Sequence, residues 1–148
     1  TNDYLLLHGI RDQIKIIASG KIVTGFDIVK VLALGADSCN AARAMMLAVG
    51  CIQALLCNQN KCPAGVATQD PSLYKGLNVE SKYLRVANYH RGTLESVAEI
   101  LAAAGIEDVE KVTRKDIWRR ISFNEIKSYE ELFPYPNILD SITEKKTA

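Results

Sequence analysis

The first half of the chain alternates between short apolar runs and longer stretches with helical spacing. The run 14–18 (Ile-Lys-Ile-Ile-Ala) is short, rich in β-branched residues and followed by Ser19-Gly20, so it predicts a buried strand. A second short strand is predicted over 37–40, and a helix is predicted after each strand. The order strand, helix, strand, helix is typical of βαβ units and a parallel sheet, and therefore predicts an α/β fold.

Capping residues mark the ends of the first predicted helix. Thr24 is expected at the N-cap, with Asp27 three residues later at the position that completes a capping box. Gly35 is expected just beyond the last turn, where a left-handed backbone costs glycine little. The apolar stripe of this helix consists of Phe26, Val29, Leu32 and Ala33.

The remaining helices are predicted from spacing and turn residues. A second helix is predicted from about Arg43 to Leu56, which places Cys51 on it, and a long helix is predicted over 81–104. In the charged C-terminal part, shorter helices are predicted over Thr113–Arg120, with Asp116 completing the cap, and over Ser128–Phe133. The last residues, 141–148, are expected to be frayed.

Composition places the chain among globular proteins of about one domain. Its 148 residues are 48% hydrophobic, and 18 Lys and Arg against 17 Asp and Glu leave a formal charge of +1. This balance argues against a dedicated nucleic-acid-binding protein and against a basic membrane-surface domain. The longest apolar stretch, 41–56, is interrupted by Arg43, Gly50 and Gln53 and falls short of a membrane span. No signal peptide is recognised at the start of the chain.

All four cysteines lie between Cys39 and Cys62. Because a disulfide-stapled secreted domain would distribute them more widely, this clustering favours a local metal site in the reducing cytoplasm. Cys51, Cys57 and Cys62 are separated by five and four residues, and a proline directly after the last cysteine recurs in iron–sulfur proteins. The spacing does not match the paired cysteines of zinc fingers. Spacing alone leaves open that these are three small buried side chains, and Cys39 is expected to be packed rather than ligating.

The junction Ser19-Gly20-Lys21 between the first strand and the first helix is a candidate phosphate-binding turn. Backbone N–H groups and the following helix dipole can face an anion there, and Lys21 can add positive charge. Taken alone, the motif fits an ordinary βα turn better. The second strand ends near Asn40, with Arg43 at the start of the next helix. Because neighbouring parallel strands lie about 5 Å apart, the two turns are expected to meet on one phosphate.

These residues carry a resemblance to a known family. The runs 18–27 and 34–37 resemble the end of the flavin-binding barrel of glutamate synthases. The run 50–71 resembles the cluster-binding segment of the glutamate synthase large chain, in its cysteine spacing and in the sequence Cys-Pro-Ala-Gly-Val-Ala-Thr-Gln that begins at Cys62. The run from 85–91 onward resembles the shorter FMN-binding members.

The resemblance implies a fold and a set of cofactor-binding residues. Residues 1–71 would form the C-terminal βαβα part of a (β/α)₈ TIM-type barrel, and residues 72–148 a mostly helical extension. The FMN phosphate would be held where such barrels commonly bind phosphate, by Ser19, Gly20, Lys21, Ala42 and Arg43. The ligands of a [3Fe-4S] cluster would be Cys51, Cys57 and Cys62.

The implied activity is reductive transfer of the glutamine amide nitrogen to 2-oxoglutarate, which yields glutamate. Electrons would come from an NAD(P)H-oxidising subunit or from ferredoxin, through the cluster and FMN. The larger synthases have glycine where Lys21 and Ala42 stand, so the phosphate contact is expected to differ here. Because only two of the eight strands are present, the chain alone is expected to be inactive and to self-associate through unpaired strand edges.

A non-catalytic function is the alternative. Natural barrels need about 250 residues, so a chain of 148 residues also fits an assembly or interaction domain. In that case the cysteines bind zinc or are merely packed, and the charged C-terminal part contacts a partner subunit.

Overall fold

The computed structural model describes residues 1–137 and shows a mixed α/β chain with few strands. The helices are α1 (Asn2–Leu7), α2 (Gly25–Ala33), α3 (Ala42–Val49), α4 (Pro71–Tyr74), α5 (Val79–Ala103) and α6 (Tyr129–Leu132). The strands are β1 (Ile17–Ser19), β2 (Ser38–Asn40), β3 (Trp118–Arg120) and β4 (Ile126–Ser128). The fraying predicted for 141–148 lies outside the described residues. No helix within the described residues combines the length and apolar character needed to cross a membrane.

The predicted order of strand, helix, strand and helix is confirmed. β1 and β2 pair in parallel, with Ile17 opposite Ser38 and Ser19 opposite Asn40, and α2 forms the connection between them. Because the strands are parallel and in register, both end at the same edge of the sheet. The turns that lead into α2 and α3 therefore begin side by side.

The predicted caps of α2 are confirmed. The Asp27 N–H donates to the Thr24 side chain, and the Thr24 N–H donates to the Asp27 carboxylate at 3.0 Å, which completes the capping box. Lys30 donates to the same carboxylate at 2.8 Å. This contact, with the Thr24 N–H, holds the pKa of Asp27 well below its usual range. Gly35 has a φ of 98°, as expected for a glycine just beyond a helix end.

α3 is shorter than the sequence pattern predicts. It ends at Val49 because Gly50 adopts a left-handed conformation with a φ of 118°. The N–H groups of Gly50 and Cys51 donate to backbone carbonyls of the last helical turn. The expectation that the helix continues to Leu56 and carries Cys51 is therefore wrong. The apolar residues beyond Gly50 are not a buried helical face, since Leu55 is 83% exposed.

The core lies where α2 packs against α5, and the residues after α5 complete it. Its buried members are Val29, Ala33, Val97, Val112 and Ile117. Of the stripe predicted on α2, Val29 and Ala33 are buried but Phe26 is exposed. The long helix predicted over 81–104 is confirmed as α5.

The charged C-terminal part contains a hairpin in addition to helices. β3 and β4 are antiparallel, with Arg119 opposite Lys127, so the helix predicted over Thr113–Arg120 is wrong. Its cap does form, since the Thr113 N–H donates to the Asp116 carboxylate at 2.7 Å. The chain then leaves the helical path because Ile117 is buried and its carbonyl accepts the Tyr129 N–H at 2.8 Å.

The short helix predicted over Ser128–Phe133 is confirmed as α6. Ser128 and Glu131 cap its start reciprocally, through the N–H and the side chain of each residue. As in α2, the two residues that form the capping box lie only three positions apart in the sequence. Such local signals can be read directly from the sequence.

Candidate functional site

A cavity of about 260 Å³ lies at the edge where β1 and β2 end. It is lined by Ser19, Gly20, Lys21, Ile22, Asn40, Ala42 and Arg43. The structure thus brings together all five residues predicted to hold the phosphate. The parallel register is the reason, because Ser19 and Asn40 are paired in the sheet and the turn after each opens into the same space.

The lining of this cavity is positively charged. It contains Lys21 and Arg43 and no carboxylate. Neither cation forms an ion pair with a carboxylate of residues 1–137. Gly20 and Lys21 have φ angles of 117° and 54°. The left-handed lysine costs on the order of 1 kcal/mol, a kind of strain that clusters at binding sites.

The N-terminus of α3 adds to the positive character of this cavity. Its N-cap is Ala41, which has no side-chain acceptor to offer, and its first turn contains no acidic residue. By contrast, backbone N–H groups at the N-terminus of α2 donate hydrogen bonds to the side chains of Thr24 and Asp27. Because Ala42 opens α3 and lines the cavity, the positive end of that helix is available to an anion. A phosphate group fits this set of donors and charges.

A second cavity of about 420 Å³ adjoins the first, since Ala42 and Arg43 line both. Cys51 and Cys57 line this second cavity, together with Met46, Leu47, Gln53 and Leu55. The Gln53 N–H donates to the Cys51 sulfur at 3.4 Å. Two of the three predicted metal ligands, Cys51 and Cys57, therefore face one cavity, which adjoins the phosphate-sized cavity at the ends of β1 and β2.

Cys62 is buried and does not line the second cavity. A tight turn follows it, since the Gly65 N–H donates to the Cys62 carbonyl at 3.1 Å. The Ala67 N–H makes the largest contribution to lowering the pKa of the Cys62 thiol, and the amides of residues 64–66 add to it against the opposing effect of burial. Hydrogen bonds to the charged form favour the thiolate, which is the form that binds metal.

The structure does not bring the three cysteines into one cluster. Within residues 1–137, no group of three or more His, Cys, Asp or Glu side chains is arranged to hold a metal ion. The chemistry of the donor set nevertheless suits an iron–sulfur cluster, since all three side chains are free thiols and two face a common cavity. Cys39 lies on β2, where burial raises the pKa of its thiol, and this supports its predicted role in packing.

Tyr89 does not line the cavity but contacts the segment next to it, and sequence reasoning assigned it no role. Its hydroxyl donates to the Val23 carbonyl, which ties the segment between β1 and α2 to α5. Thr93 Oγ1 in turn donates to the Tyr89 carbonyl at 2.8 Å. The spacing of Tyr89, Thr93 and the buried Val97 by four residues is a helical-face signal that could have placed Tyr89 on the inner side of α5.

A charge network at the opposite edge of the sheet was also missed. The Asp37 carboxylate accepts the Ile16 N–H at 2.7 Å, Arg11 at 2.7 Å and Lys15 at 3.1 Å. These contacts, led by the Ile16 N–H, lower the pKa of Asp37 to about 2. Asp37 thus anchors the start of β2 to the segment that leads into β1.

Comparison with known proteins identifies the family. Residues 1–107 match the family model described as the conserved region in glutamate synthase. The chain is 56% identical over 99 residues to the glutamate synthase large subunit-like protein YerD of Bacillus subtilis (strain 168), which covers 67% of the chain and 19% of that protein. It is 40% identical over 118 residues to the archaeal glutamate synthase (NADPH) of Methanocaldococcus jannaschii. This match covers 79% of the chain and 23% of that protein.

A longer relative shows the same similarity. The chain is 35% identical over 114 residues to the glutamate synthase (NADPH) large chain of Bacillus subtilis (strain 168), which covers 76% of the chain and 7% of that protein. The matched part thus spans about a fifth of the length of the first two relatives. The family match over most of the chain confirms the resemblance inferred from the cysteine and glycine motifs. The chain belongs to the glutamate synthase family.

Proposed function

We propose that this chain forms the phosphate-binding and cluster-binding end of a glutamate synthase-like oxidoreductase that contains FMN. The single observation that carries the proposal is the parallel register of β1 and β2, which opens the turns after Ser19 and Asn40 into one positively lined cavity. In the proposal, β1 and β2 are the last two strands of a (β/α)₈ barrel. Such barrels commonly bind phosphate in the turns after their seventh and eighth strands.

The exposed edges of the parallel pair support the barrel assignment. Within the described residues, β1 and β2 pair only with each other, and Ile17 on β1 is 62% exposed. An apolar residue on an unpaired strand is a liability unless further strands cover it. Additional barrel strands would cover this edge, and residues 72–137 would pack outside the barrel as part of the extension.

The proposed FMN phosphate is held by residues from both turns. Lys21 and Arg43 neutralise its charge, and Ser19, Gly20 and Ala42 line the same cavity. The bound flavin would supply hydride and single-electron chemistry. The larger synthases have glycine at the positions of Lys21 and Ala42. Because Lys21 adds a positive charge, the proposal includes a more strongly charged phosphate contact than in those synthases.

The proposed cluster ligands are Cys51, Cys57 and Cys62. The first two face the cavity that shares a wall with the phosphate site, and the third is buried outside that cavity. A [3Fe-4S] cluster bound there would supply one-electron transfer toward the flavin. Because these thiols must stay reduced to bind iron, the proposal includes the cytoplasm as the compartment.

The proposed reaction uses glutamine as the amino donor and 2-oxoglutarate as the acceptor, and it yields glutamate. The names of two relatives specify NADPH, which favours an NAD(P)H-oxidising subunit or domain over ferredoxin as the electron donor here. The residues that bind the reacting groups would belong to other parts of the enzyme, so the chain alone is not expected to be active.

The decisive experiment is cofactor analysis of the complete protein that carries this chain. Anaerobic purification is expected to give a yellow-brown sample that contains both flavin and iron. Together with its electron-donating subunit, it is expected to oxidise NADPH only when glutamine and 2-oxoglutarate are present. A colourless sample without iron would contradict the proposal. If the same sample contained zinc or no metal, the non-catalytic assembly function would be favoured instead.

A further inference from the structure

The hairpin formed by β3 and β4 has open strand edges. Within the described residues, β3 and β4 pair only with each other. A two-stranded hairpin is only marginally stable in water, and it gains stability when further strands are added. The hairpin also lies outside residues 1–107, which match the family model, so the family match assigns it no function.

The hydrogen-bond pattern of the hairpin shows which backbone groups of β4 point outward. The Ile121 N–H donates to the Glu125 carbonyl at 2.9 Å, so these two residues form a hydrogen-bonded pair. Hydrogen-bonded and non-hydrogen-bonded pairs alternate along an antiparallel ladder. The next pair, Arg120 and Ile126, is therefore of the non-hydrogen-bonded kind. As a result, the N–H and the carbonyl of Ile126 point away from β3, towards the open edge of β4.

This open edge is short and apolar. The Ser128 N–H is already bonded to the Glu131 carboxylate at 2.7 Å, so the open edge of β4 is centred on Ile126. Ile126 is 51% exposed, and Phe123, at the tip of the hairpin, is 91% exposed. An open strand with exposed apolar side chains is a template for pairing with another chain.

The residues on either side of Ile126 carry opposite charges. Glu125 and Lys127 lie on one face of β4, where their side chains form an ion pair at 2.7 Å and remain exposed to solvent. Lys127 also lies opposite Arg119 of β3, and Arg119 forms no ion pair with a carboxylate of residues 1–137. Because like charges opposite each other are unfavourable, this face favours a further carboxylate beside Lys127.

We propose that β4 pairs with β4 of a second copy of this chain, antiparallel and about a two-fold axis that passes through Ile126. In this register, Ile126 exchanges a pair of hydrogen bonds with Ile126 of the second copy. Glu125 lies opposite Lys127 of the second copy, and Lys127 lies opposite Glu125 of the second copy. The edge is thus complementary to itself in hydrogen bonding, in apolar contact and in charge, as a two-fold interface requires.

The neighbouring two-fold registers are unfavourable. An axis through Lys127 would place two lysines opposite each other, and an axis through Glu125 would place two glutamates opposite each other. The backbone groups of both residues also point towards β3, so they cannot bond to a second copy. None of the residues at this edge lines the two cavities that adjoin α3. The inference is therefore independent of the proposed function.

Charge reversal tests this register in the complete protein. Glu125→Lys and Lys127→Glu each place like charges opposite each other, so each variant alone is expected to raise the dimer dissociation constant by about 10-fold or more. A mixture of the two variants is expected to form a heterodimer at least as tight as the wild-type dimer, because the charges are complementary again. Sedimentation velocity over a range of concentrations measures these constants. Lys115→Glu, which also removes an exposed ion pair, is the matched control and is expected to keep the wild-type constant.

A proline substitution tests the hydrogen bonds at the edge. Ile126→Pro removes the N–H that points outward and leaves the bonds between β3 and β4, so the hairpin is expected to fold while the copies separate. If Ile126→Pro fails to fold, the charge variants decide, because they change only exposed side chains. A monomeric wild-type protein at all concentrations would overturn the proposal, as would variants that associate like the wild type or a mixture that does not associate. In each of these cases the proposed function stands, since flavin and iron analysis does not depend on this interface.

Discussion

Arg114 and Asp3 form an ion pair that joins residues 111 positions apart in the sequence. The Arg114 side chain is only 3% exposed. It also donates to the Phe133 carbonyl, and its guanidinium lies 4.3 Å from the centre of the Tyr135 ring. One buried cation thus connects helix α1 with the residues that follow α6.

This relationship predicts that Arg114→Ala destabilises the protein strongly. The substitution removes an ion pair, a hydrogen bond and a ring contact at once, so the free energy of unfolding is expected to fall by about 2 kcal/mol. Urea denaturation followed by circular dichroism measures the change. Arg91→Ala, at an exposed position of α5, is the control and is expected to change stability by less than about 0.5 kcal/mol.

The close packing of α2 on α5 predicts opposite effects for two glycine substitutions. A Cβ on Gly25 would lie 2.7 Å from Ser96 Oγ and 2.9 Å from the Val97 backbone nitrogen, whereas a Cβ on Gly92 in α5 meets nothing within 4 Å. Gly25→Ala is therefore expected to lower the free energy of unfolding by about 1–3 kcal/mol. Gly92→Ala is expected to raise it by about 0.5–1 kcal/mol, because alanine is the better helix former. Equal effects of the two substitutions in thermal melts would contradict this packing.

The network around Asp37 predicts an acid-dependent loss of stability. The pKa of Asp37 is lowered from 3.8 to about 2, so its carboxylate contributes stability that is fully present above about pH 4. That contribution is lost as the pH falls through about 2. Asp37→Asn is expected to lower stability at neutral pH and to flatten its decline between pH 4 and 2. Chemical denaturation across this range measures both effects, and Asp12→Asn, at an exposed position, is expected to keep the wild-type slope.

The positively lined cavity predicts that Arg43 contributes to flavin retention in the complete protein. Arg43→Ala removes one of the two cations at the cavity, so the dissociation constant for FMN is expected to rise about 10- to 100-fold. Fluorescence titration of the flavin-depleted protein measures this constant. Arg85→Ala, on the exposed surface of α5, is the matched control, and an equal loss of affinity in both variants would contradict a specific phosphate contact.

The role of Tyr89 can be separated from that of the cavity itself. Tyr89→Phe removes the hydrogen bond to the Val23 carbonyl and keeps the ring. We expect the dissociation constant for FMN to rise several-fold, less than for Arg43→Ala, because the turn after β1 loses its tie to α5 but keeps its charges. A dissociation constant equal to that of the wild type would show that the turn is held in place without this bond.

Part of the fold follows from signals within a few residues. The capping boxes that begin α2 and α6 are formed by residues three positions apart, so they act in any context that lets the helix start. Ser19, Gly20, Lys21 and Arg43 at the phosphate-sized cavity were predicted from the strand pattern, since adjacent parallel strands place their following turns together, whereas Ala42 was predicted only from the family resemblance. The end of α3 is also determined by a local residue, Gly50. The prediction nevertheless extended the helix because the residues that follow Gly50 are apolar.

Other features depend on residues distant in the sequence. Alone, the sequence determined the order of strands and helices in the first half, most helix starts, the family and the set of candidate ligands. Only the tertiary structure decided that Ile117 leaves the helical path and is buried in the core, and that Arg114 reaches Asp3. It also decided that Cys62 is buried while Cys51 and Cys57 face a cavity. The physical reason is that caps and turns are stabilised by neighbouring groups, whereas burial and charge pairing gain their energy from partners that only the folded chain brings together.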